Sequence, residues 1–408
     1  MSTVKPFKAV RPAKGRESEV TCLPYDVFYD HEVPAIIAAN PNSFLKVTRP
    51  EGDIDPDVHP TRDEIFQRGK DNLDAFIRDG VFIEDDEPCF YVYRLTENGH
   101  SQTGVIGVCS LDEYRSGTIK RHEFTRPDKV ADRTDHMIAV GAQTGLIFLT
   151  FRGTDRTRSL IADAIGSQPL YDLTADNGIR HEVWRVTNVD EWGEAFESVP
   201  ALYVADGHHR LESAARARDI LRESDAEPNA DKAYNYVVAG IFPAEDLHIL
   251  AYNRVVADLN GLTSEQFIER LKDIFNVDET DVRIPTHAGH IQMYLDGRWY
   301  GLRYNVDNLR DPGPIDRLDV SILQQNVLGP ILNIQDPRKG DRIAFIGGRR
   351  GVDELERLVN SGISATAFSM FPTTMDDLLA VSDTGEVMPP KSTWFEPKLR
   401  DGIVVYKI

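Results

Sequence analysis

The run Ala205-Asp206-Gly207-His208-His209-Arg210 constrains this chain more than any other stretch. It follows the apolar Leu202-Tyr203-Val204, a strand signal, and precedes a helical pattern that begins near Leu211. Polar residues gathered at one strand-to-helix corner are poor core material and good material for holding a phosphate. The first turn of a helix offers N–H groups and the positive end of its dipole. Gly207 has no Cβ and lets the backbone approach a ligand closely. Arg210 can make a forked contact with phosphate oxygens, and His208 and His209 can donate or carry protons. Asp206 offers hard oxygen ligands for a magnesium ion. A plainer role for Asp206 and Gly207, as helix N-cap and eased turn, would leave His208, His209 and Arg210 without one. A zinc site on the paired histidines is disfavoured, because no Cys or His pair at zinc spacing follows.

At 408 residues the chain is long for one hydrophobic core, so two structural units are expected. Its 41% hydrophobic and 27% charged content is that of an ordinary globular protein, and no apolar run approaches a membrane span. The formal net charge of −20 argues against a chain that coats nucleic acid or anionic membrane. A local basic pocket for a small anion remains compatible with it. Cys22, Cys89 and Cys109 share neither metal nor disulfide spacing, and the N-terminal residues lack a signal-peptide apolar stretch, so the expected location is the cytoplasm. The expected partners are small molecules, not nucleic acid or membrane. A homodimer is compatible with the sequence, which leaves the oligomeric state open.

Along the chain, Thr61-Arg62-Asp63-Glu64 has the spacing of a capping box, and Ile65, Phe66, Leu73, Phe76 and Ile77 share one face before Gly80. Strand-like runs follow at residues 89–95, 105–110, 146–151, 182–186, 202–205, 236–242 and 249–256. After Leu259 the rhythm changes. A second capping box at Thr263 opens a helix with Phe267, Leu271 and Phe275 on one side, and Asp296-Gly297 reads as a tight hairpin turn. Residues 311–314 read as a loop, and helical patterns at 320–328, 352–359 and 375–381 surround a strand at 364–370. Gly347-Gly348-Arg349-Arg350-Gly351 lacks the spacing and terminal Lys-Ser/Thr of a phosphate loop, so a strand-to-helix turn explains it. The predicted fold class is α+β, with units at residues 1–258 and 259–408.

Two more constellations carry chemistry. In Lys120-Arg121-His122-Glu123, Glu123 could take a proton from a hydroxyl while Lys120 or Arg121 offsets phosphate charge. An exposed, salt-bridged loop accounts for the same residues equally well. Near the C-terminus, Lys391-Ser392-Thr393 suits an anion, Trp394 and Phe395 suit a hydrophobic latch, and Lys398 suits solvent.

These motifs, with Pro24-Tyr25-Asp26-Val27, Asn40-Pro41-Asn42-Ser43-Phe44-Leu45 and Met388-Pro389-Pro390, resemble the DUF1015 family over nearly the whole chain. That family is related to the free-serine kinases, a link carried mainly by residues 206–210. The resemblance implies a ParB/sulfiredoxin-like N-terminal catalytic unit with insertions and a second α+β unit. It implies transfer of a phosphoryl group from ATP or ADP, with Mg²⁺, to the hydroxyl of free L-serine, giving O-phosphoserine. Asp206, Gly207, His208, His209, Arg210, Lys120 and Arg121 would then hold the nucleotide phosphates, with Asp206 on the metal. Glu123 would match the carboxylate that activates the hydroxyl, beside His208 and His209 as catalytic groups. His122, Lys391, Ser392 and Thr393 would bind the substrate. At Tyr252-Asn253-Arg254 the chain departs from the family, where His is expected before the Arg.

On this reading Arg210→Ala and Glu123→Gln each abolish most turnover and leave the fold intact. A rival of another class is a ParB-like nucleotide-binding switch that phosphorylates no metabolite. A third is a scaffold whose polar corner is only structural.

Overall fold

The computed structural model describes residues 2–55, 57–305 and 312–408. Asp311, the start of the expected 311–314 loop, lies outside the described residues. The chain divides into two compact units: Met1–Lys120, Thr125–Leu247 and Pro397–Ile408 form the first, and Arg121–Phe124 with His248–Glu396 the second. The expected units at residues 1–258 and 259–408 make a single cut, whereas these two units are built from interleaved segments. Strand Tyr252–Val256 hydrogen-bonds with Ile343–Gly347 and Thr366–Ser369, so it sits in the second unit. The C-terminal segment returns to the first, where Tyr406–Lys407 pairs with Ala142–Gln143 and Val405 bridges Val10.

Among the described residues the first unit is built on a nine-stranded mixed sheet. Its path runs Ile119–Lys120, Leu202–Asp206, Ile147–Phe151, Tyr236–Pro243, His100–Ser110, Phe90–Glu97, Arg180–Val186 and Tyr171–Thr174, with Val4–Lys5 added alongside His100–Ser110. Two pairings are parallel: Leu202–Asp206 with Ile119–Lys120, and Tyr236–Pro243 with Ile147–Phe151. Strand residues point alternately to the two faces. One face carries Val92, Val105, Ile147, Leu149, Leu202 and Val204, which join one buried cluster with Leu211, Ala214 and Ala215 of helix His208–Ser224. The small alanines let that helix lie close to the sheet. It also packs beside helix Pro127–Val140, where the Ser213 hydroxyl donates to the Val130 carbonyl at 3.1 Å.

The helix over Arg62–Arg78 opens with the expected capping box, Thr61 accepting from the Glu64 N–H. Its Leu73 and Phe76 enter a smaller core with Phe44, Phe82 and Val405.

The second unit carries a six-stranded antiparallel sheet in the order Asn276–Glu279, Arg298–Arg303, His290–Leu295, Thr366–Ser369, Tyr252–Val256, Ile343–Gly347. The Asp296-Gly297 hairpin forms as expected, with both residues at positive φ. Helix Gly351–Asn360 covers one face by packing Leu355 against Val255, Tyr294, Ile346 and Ala367. The mixed α+β class expected from the pattern is the class observed.

Candidate functional site

Strand Leu202–Asp206 meets helix His208–Ser224 at Gly207, whose φ of 91° lies in the left-handed region. A Cβ there would come no closer than 3.5 Å to Ile147, so the backbone angle and not space calls for glycine. The helix starts at His208, earlier than the expected Leu211. Gly207 turns the chain at once, and the pattern had registered only the first apolar position.

Asp206 does not cap this helix. Its Oδ1 accepts the N–H of its neighbour Gly207 at 2.7 Å, and its Oδ2 accepts from Lys398 Nζ at 2.5 Å. Lys398, expected in solvent, is only 16% exposed and stands at the corner. Burial opposes ionisation of Asp206, but Lys398, the Gly207 N–H and His208 outweigh it and hold the carboxyl down to about 2.

This arrangement bears on the expected metal. Both Asp206 oxygens are engaged, one by an ammonium group, and among the described residues no three His, Cys, Asp or Glu side chains converge as a metal site. A hard cation needs uncommitted oxygen ligands. The donor set therefore does not fit a resident Mg²⁺ on Asp206, and Lys398 supplies the positive charge expected of the ion.

At the helix start His208 is buried. His209 Nε2 accepts the backbone N–H of Arg126 at 3.0 Å, so that nitrogen carries no proton in this arrangement. Arg210 has another fate than the one expected. Its Nη2 donates to both carboxylate oxygens of Asp401, at 2.9 and 2.7 Å, and its guanidinium lies 5.0 Å from the Tyr25 ring centroid. Arg133 stands 4.6 Å from the same ring. Burial works against the charge of Arg210, but Asp401, Tyr25 and Asp26 outweigh it and hold the group above its ordinary pKa. The backbone of Gly145 runs so close that a Cβ would overlap both Arg210 and Asp401. The Arg210 fork is thus committed to a buried carboxylate where the sequence reading placed a phosphate.

Lys120 stands in register with Tyr203, its Nζ 5.6 Å from that ring. Arg152, which the sequence reading passed over, lies 5.3 Å from the same ring and donates to the Tyr203 hydroxyl. Its signal was available: it directly follows strand Ile147–Phe151.

Arg121, His122 and Glu123 belong to the second unit. There His122 Nε2 meets Thr393 Oγ1 at 3.1 Å, and the His122 carbonyl accepts the Met388 N–H at 2.8 Å. The Ser392 hydroxyl donates to the Pro389 carbonyl at 2.6 Å, so it shapes its own turn. Lys391 has a φ of 57° and places Nζ 5.7 Å from the Tyr252 ring. Trp394 meets Tyr252 edge-on at 5.2 Å and Phe395 is buried, which is the aromatic latch expected of that pair. Structure thus brings His122 and Thr393 into contact, with Lys391 and Ser392 beside them in the chain.

A family model described as "Protein of unknown function (DUF1015)" matches residues 4–321, well over half the chain. The chain belongs to the DUF1015 family. No curated protein matches this DUF1015 chain. Among solved structures, it is similar to a conserved hypothetical protein from Pyrococcus furiosus at 13% identity, covering 72% of this chain and 92% of that one, with a TM-score of 0.35. It is similar to C-terminally truncated SbnI from Staphylococcus aureus at 12% identity, covering 72% and 85%, with a TM-score of 0.39. A free serine kinase in complex with AMP is similar at 12% identity over 71% of this chain and 86% of that one, with a TM-score of 0.35. Among the described residues no helix of this DUF1015 chain is long and apolar enough to cross a membrane.

Proposed function

We propose that this DUF1015 protein is a small-molecule kinase whose first unit, of ParB/sulfiredoxin-like type, holds nucleotide phosphates at the Gly207 corner. One observation carries the reading. A helix over His208–Ser224 begins without a side-chain cap, and two imidazoles and the Lys398 ammonium gather at its start. Uncapped N–H groups, the helix dipole and an added cation all favour a polyanion. Lys120 and Arg152, around Tyr203 on the corner strand, add to the positive field.

The substrate pair comes from the likeness of residues 206–210 to the free-serine kinases. The serine hydroxyl oxygen attacks the terminal phosphorus of ATP or ADP, and the bond from that phosphorus to the nucleotide's bridging oxygen breaks. O-phosphoserine and a nucleotide shorter by one phosphate result. The hydroxyl proton passes to a carboxylate, for which Glu123 is our candidate. Such a transfer asks the protein for positioning and charge stabilisation more than for covalent chemistry. Lys398, His208 and His209 are assigned to the phosphates, while the Gly207 N–H, expected there too, is spent on Asp206 and Arg210 orients the corner through Asp401.

The reading is tested by incubating the protein with ATP or ADP, Mg²⁺ and pooled amino acids, and analysing products by mass. A phosphorylated serine supports it. The second reading, a nucleotide-binding switch, draws support from the ion pairs by which Lys398 and Asp401 tie the C-terminal segment to Asp206 and Arg210. Nucleotide binding without any phosphorylated amino acid would favour that switch, and absence of both would leave a structural corner.

A further inference from the structure

One end of the second unit's sheet opens onto a pocket of about 610 Å³. Four segments meet there. They are Asp258 just after strand Tyr252–Val256, the Asp296-Gly297 turn, the C-terminal end of helix Gly351–Asn360, and Ser364 just before strand Thr366–Ser369. The volume lies within the roughly 300–1,000 Å³ that small-molecule sites occupy. Leu262 and Val359 give the pocket apolar wall. Its polar lining is acid, hydroxyl and amide, and among the described lining residues there is no Lys, Arg or His.

Some of these polar groups are already spent. Asp258 receives both arms of Arg342, at 2.8 and 2.6 Å, and the Asn260 N–H at 2.8 Å. Asn360 accepts the Tyr294 hydroxyl through Oδ1 at 3.0 Å. Two are not. Ser364 is 6% exposed, and its hydroxyl has no hydrogen-bond partner among the described residues, although its backbone N–H donates to the Leu358 carbonyl at 3.1 Å. A hydroxyl buried without a partner is costly, and the pocket it lines is where one can enter. Asp296 is exposed and has neither an ion pair nor a side-chain hydrogen bond among the described residues. Arg298, two positions on, is held by Glu279 at 3.1 Å.

Charge balance sets the sign of the ligand. Asp296 brings a carboxylate without a counter-charge, and the ten-residue helix Gly351–Asn360 brings the negative end of its dipole. A phosphate or carboxylate would meet both with no lining cation to offset them. An ammonium group would find acceptors in Asp296 and in the Ser364 hydroxyl oxygen. The tight turn alone accounts for an Asp or Asn at position 296, but not for the orphaned hydroxyl or the open volume beside it.

We propose that this pocket binds a small organic cation. Asp296 and the Ser364 hydroxyl hold its ammonium group, and its hydrocarbon stem lies along Leu262 and Val359.

The test is calorimetric titration of the full chain with 1,4-diaminobutane and, as a neutral comparison, sorbitol. About 0.15 M salt screens long-range attraction to a chain of net charge −20. We expect the diamine to bind at a single site and sorbitol not to bind. Asp296→Asn removes the charge and keeps a residue equally suited to the turn, so it should melt with the parent and weaken binding about tenfold or more. Ser364→Ala removes the buried hydroxyl and should weaken binding about threefold, which keeps the test open should Asp296→Asn not fold. A diamine response that the variants leave unchanged would be loose association with an acidic chain, and it overturns the proposal. No response of the parent to the diamine overturns it too. Sorbitol binding in preference to the diamine also overturns it, since hydroxyls and not charge would then select the ligand. No readout involves turnover, so the pocket and the kinase reading stand or fall separately.

Discussion

Lys398 and Asp206 form an ion pair at 2.5 Å that joins the C-terminal segment to the strand-to-helix corner. A second pair, Arg210 with Asp401, repeats the join with the charges reversed. The corner contributes an acid and a base, and the C-terminal segment contributes a base and an acid. The consequences of the two pairs differ because their burial differs.

Lys398→Met removes the ammonium proposed to meet the phosphates and leaves Asp206, 44% exposed, facing water. We expect a fall in turnover of about 10²-fold, in the range known for loss of one charge-stabilising group, with little change in unfolding. Steady-state kinetics beside a urea titration checks this. Unchanged kinetics would take Lys398 out of the mechanism.

Arg210→Ala acts on the fold. It strands Asp401, whose side chain is 2% exposed, without its partner. Loss of one member of a buried pair costs about 3–5 kcal/mol. The expectation of an intact fold drawn from the motif is therefore reversed, and chemical denaturation should show the loss before any assay does. The double variant Arg210→Met/Asp401→Leu should recover much of it.

Two glycines near the corner separate backbone strain from overlap. Gly207→Ala has room but a φ of 91°, and should cost about 1–2 kcal/mol. Gly145→Ala drives a Cβ into Arg210 and Asp401, so it should cost more and also break their pair. Equal losses by urea unfolding would contradict this account.

Stability should fall as pH drops below about 6.5. His136 and His181 are buried, and burial first, with neighbouring arginines, lowers each to about 3. Between about 3 and 6.5 the unfolded chain binds protons that the folded histidines refuse, so the folded state loses ground as acid is added. The two histidines together contribute a slope approaching about 2.7 kcal/mol per pH unit. Asp319 works in the opposite sense. Burial raises its carboxyl to about 7, so the folded state takes its proton before the unfolded chain does. It returns about 1.4 kcal/mol per unit between about 4 and 6.5, leaving a net fall of similar size. Asp319→Asn should roughly double the slope; flat stability from pH 7 to 5 would refute the assignment.

Much of the fold was legible because local rules govern it. The capping boxes at Thr61 and Thr263, the Asp296-Gly297 hairpin and the strand at residues 236–242 depend on neighbours within a few positions, and each appears where the pattern put it. The corner at Gly207 was legible for the same reason. The fates of the Lys398 and Asp296 charges were not. One reads as a solvated lysine and the other as a turn residue, since nothing beside them in the chain records the distant charge that one meets and the other lacks.

By itself the sequence determined the mixed α+β class, the family and the strand-to-helix corner, all written in short-range periodicity and contiguous motifs. Only the tertiary structure decided which charges are spent and which are stored. Asp401 takes Arg210, Lys398 takes Asp206, and Asp296 has no ion-pair partner among the described residues. The reason is physical: the energy of a charge depends on its distance from other charges and from water, and folding sets both for residues far apart in the chain.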